Sequence, residues 1–241
     1  MKRQKIRKAL IFILFLLFPV VMFYLSPVLI IEGASQGIIA GSFIVFSLMF
    51  IFSLFLGRAF CGWACPGAGL QEACFRISNK TAKGGRYNWI KYFIWVPWIS
   101  IIASMAVKVG GFGKVDPFFQ IESGISIAEP ANYIVYYFFV GLITTLSLTA
   151  GRRAFCHYGC WMAPFMIIGT KIRNLFKWPG LHLEADKDRC KNCKTCTKNC
   201  PMSLDVNHMV QKGTMKNTEC ILCGTCVDGC PQSVIKYAFR V

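Results

Sequence analysis

Apolar residues dominate this chain in long runs as far as Thr170, and after that point the pattern turns polar. Four runs approach the roughly 20 apolar residues that a helix needs to cross a bilayer. They are Leu10–Ile31, Gly37–Leu56, Ile90–Val107 and Tyr133–Ala150. Pro19 and Pro27 fall in the first run, and membrane helices tolerate proline better than soluble ones. A basic start, MKRQKIRK, would suit a signal peptide, but the apolar stretch behind it is too long and has no clear small-residue cleavage site. An uncleaved span is the expectation. The pattern therefore predicts an all-α membrane domain of four transmembrane helices over residues 1–180, with a small polar domain over residues 181–241.

Charge gives this arrangement a direction. Lys and Arg number 27 against 11 Asp and Glu, a net charge of +16. Arg58, Arg76, Lys80, Lys83 and Arg86 face only Glu72 between the second and third runs, and Arg152, Arg153, Lys171, Arg173 and Lys177 follow the fourth. The alternate loops hold Glu32, and Lys108 and Lys114 with Asp116, Glu122 and Glu129. Basic loops stay inside, so both termini should face the cytoplasm in a multi-pass inner-membrane protein. Most of the excess charge then sets topology or meets anionic lipid. No basic face on a soluble module points to nucleic acid. Phe112, Phe118 and Phe119 mark the outer loop as an interfacial anchor. The runs are expected to bury no ionisable group, which argues against an ion pump in this chain alone.

Thirteen cysteines in such a chain need a reason other than disulfides. Cys190, Cys193, Cys196 and Cys200 follow C-x2-C-x2-C-x3-C-P, and Cys220, Cys223, Cys226 and Cys230 repeat it thirty residues on. This is the bacterial ferredoxin pattern, in which the fourth cysteine serves the other cluster. One [4Fe–4S] cluster is expected on Cys190, Cys193, Cys196 and Cys230. The second is expected on Cys220, Cys223, Cys226 and Cys200. The short gaps wrap a tight loop round three corners of a cube, and the longer gap with its proline turns the chain away. A pair of zinc knuckles is the weaker alternative. The polar domain is thus a small α+β dicluster ferredoxin-like domain, and so short a domain needs its clusters as staples.

Two further thiol pairs lie at the ends of apolar runs: Cys61 and Cys65 in GRAFCGWACP, and Cys156 and Cys160 in GRRAFCHYGC. Each follows a pair of spans, so the membrane domain reads as a tandem two-helix repeat. Parallel repeats share an axis along the membrane normal, which would draw the four cysteines together at the cytoplasmic face. Soft thiolates there suit a third iron–sulfur cluster or zinc. Redox-active dithiols are the rival. Cys74 is an extra candidate ligand or a buried inert thiol. His157, inside the second motif, reads as an interfacial residue before it reads as a ligand or quinol contact.

These motifs and the dicluster tail resemble the membrane polyferredoxins of the NapH and NosR type, nearer the short NapH form. The resemblance covers nearly the whole chain. It departs where Trp161, not proline, follows Cys160, with Pro164 the next proline. It implies an electron-transfer component and not an enzyme alone. Such a subunit would relay electrons between quinol or a soluble ferredoxin and a partner reductase. Lys187, Lys191, Lys194 and Lys198 could dock an acidic redox partner. A redox sensor or metal-centre assembly factor, with the C-x3-C thiols as its switch, is the other class of function.

Overall fold

In the computed structural model, which describes residues 2–121, 124–127 and 130–240, the apolar runs become helices of unequal length. Glu122 and Glu129 of the outer loop lie outside the described residues. The first run is not one helix, contrary to the continuous span expected over Leu10–Ile31. It breaks into α1 (Lys2–Leu16), α2 (Phe18–Val21), a 3-10 turn (Phe23–Leu25) and α3 (Pro27–Ser35). Its prolines fall in the first turns of α2 and α3, where the missing N–H is an orphan anyway. Ser26 caps α3, its hydroxyl accepting from the Leu29 N–H at 3.4 Å.

The second run opens as a short strand, β1 (Ile38–Ala40), before α4 (Gly41–Leu56). Two short helices follow, α5 (Ala59–Trp63) and α6 (Pro66–Cys74). The chain continues as α7 (Ile90–Val109) and enters β2 (Lys114–Asp116), which pairs in parallel with β1. It returns as α8 (Asn132–Thr149), then α9 (Ala154–Tyr158) and α10 (Ala163–Phe176). The two thiol regions share one plan: a long apolar helix, a five-residue helix carrying the first cysteine, a turn carrying the second, and a helix with proline in its first turn. Pro164 fills that role in α10, so the departure at Trp161 delays the helix start and keeps its chemistry.

The halves interlock. The helix after the first motif, α6, packs on α1 and α8, and the helix after the second, α10, packs on α4. Gly85–Val109 and Asn132–Thr149 are long and apolar enough to cross a bilayer, while α4 is apolar but shorter. Their large side chains point outward: Phe52 is 58% exposed, Phe93 76% and Ile134 74%. Exposed apolar surface of this extent marks a face made for lipid or protein.

One expectation fails inside the third run. Lys91 is fully buried, its ammonium 2.6 Å from a carboxylate oxygen of Glu219 in the C-terminal domain. A charge can be buried where a partner is buried with it.

The C-terminal domain comprises β3 (Gly180–Ala185), α11 (Thr195–Lys198), α12 (Val206–Gln211), α13 (Thr225–Asp228) and β4 (Ile235–Arg240). Strands β3 and β4 pair antiparallel, from Gly180 opposite Arg240 to Ala185 opposite Ile235. One continuous apolar core runs from Ile30 and Phe46 in the helical part to Val234 and Ile235 here. The polar domain is therefore seated on the helices. Arg3 pairs with Asp228 at 2.7 Å, and the Gln4 amide donates to the Cys223 carbonyl at 2.9 Å.

Candidate functional site

The duplicated motif folds as a duplicated shape. Asn192 and Lys194 adopt left-handed backbone on either side of Cys193, and Leu222 and Gly224 do so around Cys223. Ser203 and Ser233 repeat it after the last cysteine of each motif. Alternating right- and left-handed residues turn successive N–H groups inward, the concavity that suits anionic clusters. Gly224 has a second constraint: a Cβ there would sit 2.4 Å from the Tyr237 hydroxyl oxygen, and that hydroxyl donates to the Leu222 carbonyl at 2.7 Å.

Two small cavities result. Cys190, Cys193, Cys196 and Cys230 line one, with Pro231. Cys200, Cys220, Cys223 and Cys226 line the other, with Pro201. Each cavity thus takes three cysteines from one motif and the fourth from its twin. Among the described residues, no three His, Cys, Asp or Glu side chains gather tightly enough to hold a single metal ion. The donors of each site line a cavity, an arrangement that suits a multi-atom cluster. The Asn207 Nδ2, buried without a partner, belongs to the wall of the first cavity. The donor set fits two iron–sulfur clusters.

At the helical edge the structure brings Cys61, Cys65, Cys156 and Cys160 together. All four are buried, and Cys65 lies within electrostatic reach of the other three. Burial first, then the neighbouring thiols Cys156 and Cys61, pushes Cys160 up to about 12. Protons leave such thiols when a metal takes their place. The Gln71 amide donates to the Cys156 Sγ at 3.2 Å. Cys74 is not part of this group. It ends α6, nine residues beyond Cys65 and so about 13 Å along the helix axis, and only burial shifts its thiol upward.

Two buried charge networks surround the quartet, and neither was legible in the sequence. Arg58 donates to Glu219 at 2.5 Å, and Lys91 meets the other carboxylate oxygen at 2.6 Å. Burial alone would raise the Glu219 carboxyl, but Arg58 and Lys91 hold it below the ordinary range. Glu72 lies between Arg7, at 2.8 Å, and Arg153. Burial opposes its charge too, yet Arg153 and Arg7 bring it down to about 2. The Arg58 Nε and Nη2 and the Arg153 Nε are buried with no partner. Arg58 feels Cys61, Cys156 and Cys160, and Arg153 feels Cys156. Unsatisfied guanidinium nitrogens beside four thiols are the surroundings of a negatively charged group. The quartet therefore fits an anionic thiolate-bound cluster.

His157 is neither interfacial nor free to ligate. It is 1% exposed, with its ring nitrogens 2.7 Å from Asn88 Oδ1 and 3.1 Å from the Met202 carbonyl oxygen. Burial pushes it down to about 4. It is a strut between α9 and the C-terminal domain.

Helix α5, which carries Cys61, packs on the loop of the second cluster cavity. Gly62 packs so closely on the Ile221 carbonyl that a Cβ would sit 2.3 Å from the oxygen. The Trp63 indole N–H donates to the Leu222 carbonyl at 3.0 Å. On its other side the quartet faces a cavity of about 250 Å³, mostly apolar, with Cys65, Cys156 and Cys160 in its wall.

Comparison with known proteins agrees with this geometry. Residues 189–235 match the 4Fe-4S dicluster domain, and residues 39–83 and 132–179 each match a 4Fe-4S binding domain. The chain carries ferredoxin-type 4Fe-4S domains. The second match falls on the two thiol regions separately, as a tandem repeat should. YccM of Escherichia coli K12, provisionally named an electron transport protein, is 23% identical over 213 residues, which is 80% of this chain and 55% of YccM. The uncharacterized protein MJ0750 of Methanocaldococcus jannaschii is 26% identical over 90% of this chain and 89% of its own length. RdxA of Cereibacter sphaeroides is 26% identical over 76% of this chain and 44% of RdxA. The chain thus spans about half the length of YccM and less of RdxA. No solved structure matches it.

Proposed function

We propose that this chain is a membrane-bound iron–sulfur electron-transfer subunit of the short NapH kind, relaying electrons between a lipid-dissolved carrier and a soluble partner. One observation carries the reading: α12 lies between the two cluster cavities, α5 joins the inner one to the thiol quartet, and three quartet thiols line the apolar cavity. Cys190, Cys193, Cys196 and Cys230 would hold the outer cluster. Cys220, Cys223, Cys226 and Cys200 would hold the inner one, and Cys61, Cys65, Cys156 and Cys160 a third. When bound, such clusters supply one-electron transfer. Arg58 and Arg153 offset the charge of the third site in a dry environment, where an uncompensated anion would be costly.

The two ends of the series differ as donor and acceptor ends should. Cys193 is exposed, and so are Lys187, Lys191, Lys194 and Lys198 around it. This positive rim suits an acidic redox protein. At the other end the cavity is lined by the rings of Phe139, Phe155 and Trp161, suited to a flat apolar carrier such as a quinone. Four spans, with clusters and both termini on the cytoplasmic side, belong to the same proposal. The sensor or assembly reading needs thiols that an oxidant can reach. The quartet thiols are each no more than 7% exposed, which favours the relay.

The test is iron and acid-labile sulfide per chain, with EPR, on full-length protein purified without oxygen. The relay reading expects more than the roughly eight irons of two four-iron clusters, and spin coupling between neighbouring centres. A folded, colourless, iron-free preparation would end it.

A further inference from the structure

The apolar cavity has two chemically different ends. One is the thiol wall of Cys65, Cys156 and Cys160. The other is marked by Glu32, on α3, a half-buried residue whose Oε2 is buried with no hydrogen-bond partner among the described residues. A carboxylate oxygen left alone against an apolar cavity is costly unless something arrives to meet it. The remaining polar side chains of the cavity wall, Ser26, Gln71, Gln120 and Asn132, are neutral. Among the described residues, and the thiols apart, Glu32 is therefore the one side chain in that wall able to carry a proton as an acid or base.

The geometry of α3 sets the spacing. The Trp161 indole N–H donates to the Leu25 carbonyl at 3.1 Å, which fixes the start of α3 beside the thiol wall. Glu32 lies five residues past Pro27, about 7.5 Å further along the helix. Ser35 and Gln36, one turn on, are exposed and polar, which suits a water-facing surface one turn beyond Glu32. That surface is on the β1 side of the protein. The thiols follow the opposite end of α4, whose 16 residues span about 24 Å.

Resting on the proposed relay, we infer that Glu32 is the proton-transfer residue for a quinone in this cavity, and that it exchanges protons with the side opposite the clusters. An electron can cross a few ångströms of packed rings, whereas a proton moves only along a hydrogen bond. The quinone must then place a carbonyl oxygen against Glu32 and its ring beside Phe155, Trp161 and the thiol wall. Reduction of the quinone takes two electrons from the reduced clusters and two protons. Both C=O groups become C–OH. One proton comes from the Glu32 carboxylic acid to the oxygen it faces, and Glu32 is then reprotonated from solvent; the other oxygen takes its proton from water. Oxidation of the quinol is the reverse.

The full chain in nanodiscs would be reduced with dithionite, freed of excess reductant and mixed with a short-tailed quinone. Return of the oxidised cluster absorbance gives the rate. Ferricyanide, which accepts electrons without protons, is run in parallel and normalises for cluster content. For Glu32→Gln the ratio of quinone to ferricyanide rate should fall at least tenfold, with Glu32→Asp recovering part of it. An unchanged ratio in Glu32→Gln, with the wild type reacting, would overturn the role of Glu32 and leave the quinone cavity standing. Wild-type protein that ferricyanide oxidises and quinone does not would overturn both.

Discussion

The Arg153 Nη1 donates to the carbonyl oxygen of Cys61 at 2.7 Å, so the residue leading into the second thiol motif closes the first. The other terminal nitrogen of the same guanidinium meets Glu72. Arg153 is fully buried and takes left-handed backbone to reach this position. Arg153→Ala would leave a carbonyl unpaired and Glu72 with Arg7 alone. Breaking a buried pair in this way costs about 3–5 kcal/mol. Arg153→Lys keeps the charge and loses the fork that binds both partners, so it should recover only part of the loss. Thermal unfolding of the two variants, with iron per chain, checks this order.

Glu72 gives the fold an acid limit. Its folded-state value of about 2 lies below the ordinary 4.5. A depressed carboxyl contributes its stability above its unfolded value and loses it as pH falls through the folded one. The contribution should be complete above about pH 4.5, fade between there and pH 2, and amount to at most about 3 kcal/mol. Glu72→Gln should show no such fading. The check is the stability difference between wild type and Glu72→Gln, measured at several pH values. A difference that grows towards low pH would contradict the assignment.

Some of this was legible in the chain and some was not. Cysteine spacing is a local property, and Cys190 to Cys230 declared two clusters without help from tertiary structure. The duplicated Ala-Phe-Cys of α5 and α9 gave the repeat for the same reason. The breaks in the first run are also local, yet proline at 19 and 27 reads as a kink or a restart depending on what packs beside it. The charge networks were hidden. Glu72 and Glu219 meet their cations across separations of 65 and 161 residues, as with Arg7 and Arg58, and no periodicity reports such a pairing. Cys74 could be read as an added ligand or as a buried thiol, and the length of α6 between it and Cys65 places it away from the quartet.

The quartet should hold iron of its own. Cys65→Ser together with Cys160→Ser removes one thiol from each motif and spares the ferredoxin cysteines. Iron should drop to about eight per chain, the content of two four-iron clusters, with the C-terminal EPR signal retained. An unchanged iron content would mean that these thiols hold none. Cys74→Ser is the internal control and should leave iron as in the wild type.

Arg58 should set the potential of that third site. Its side chain is buried, with two nitrogens free of partners beside the thiols. A positive charge favours the reduced, more negative cluster. Arg58→Gln should make the site harder to reduce, by at least about 60 mV, the one-electron equivalent of a tenfold change. Arg58→Lys should lie between the two. EPR-monitored redox titration of the quartet signal measures the shift, and a move towards more positive potential would contradict it.

Gly62 is where the helix carrying Cys61 and the inner cluster loop meet. Adding a methyl group would place Cβ 2.3 Å from the Ile221 carbonyl oxygen, well inside contact distance, and both partners are backbone. The Trp63 indole and the Arg7 guanidinium, which donates to the Gly62 carbonyl at 3.1 Å, resist any sliding of α5. Relief must therefore come from separating α5 from the Ile221–Cys223 loop. Both sets of cysteines remain, so Gly62→Ala should keep its iron. Electron exchange between the quartet and the inner cluster should slow, and the magnetic coupling between them should weaken. EPR linewidths of the fully reduced protein and rapid-mixing reduction kinetics read these two effects separately. If iron is retained and both are unchanged, the contact at Gly62 is not the route between the two sites.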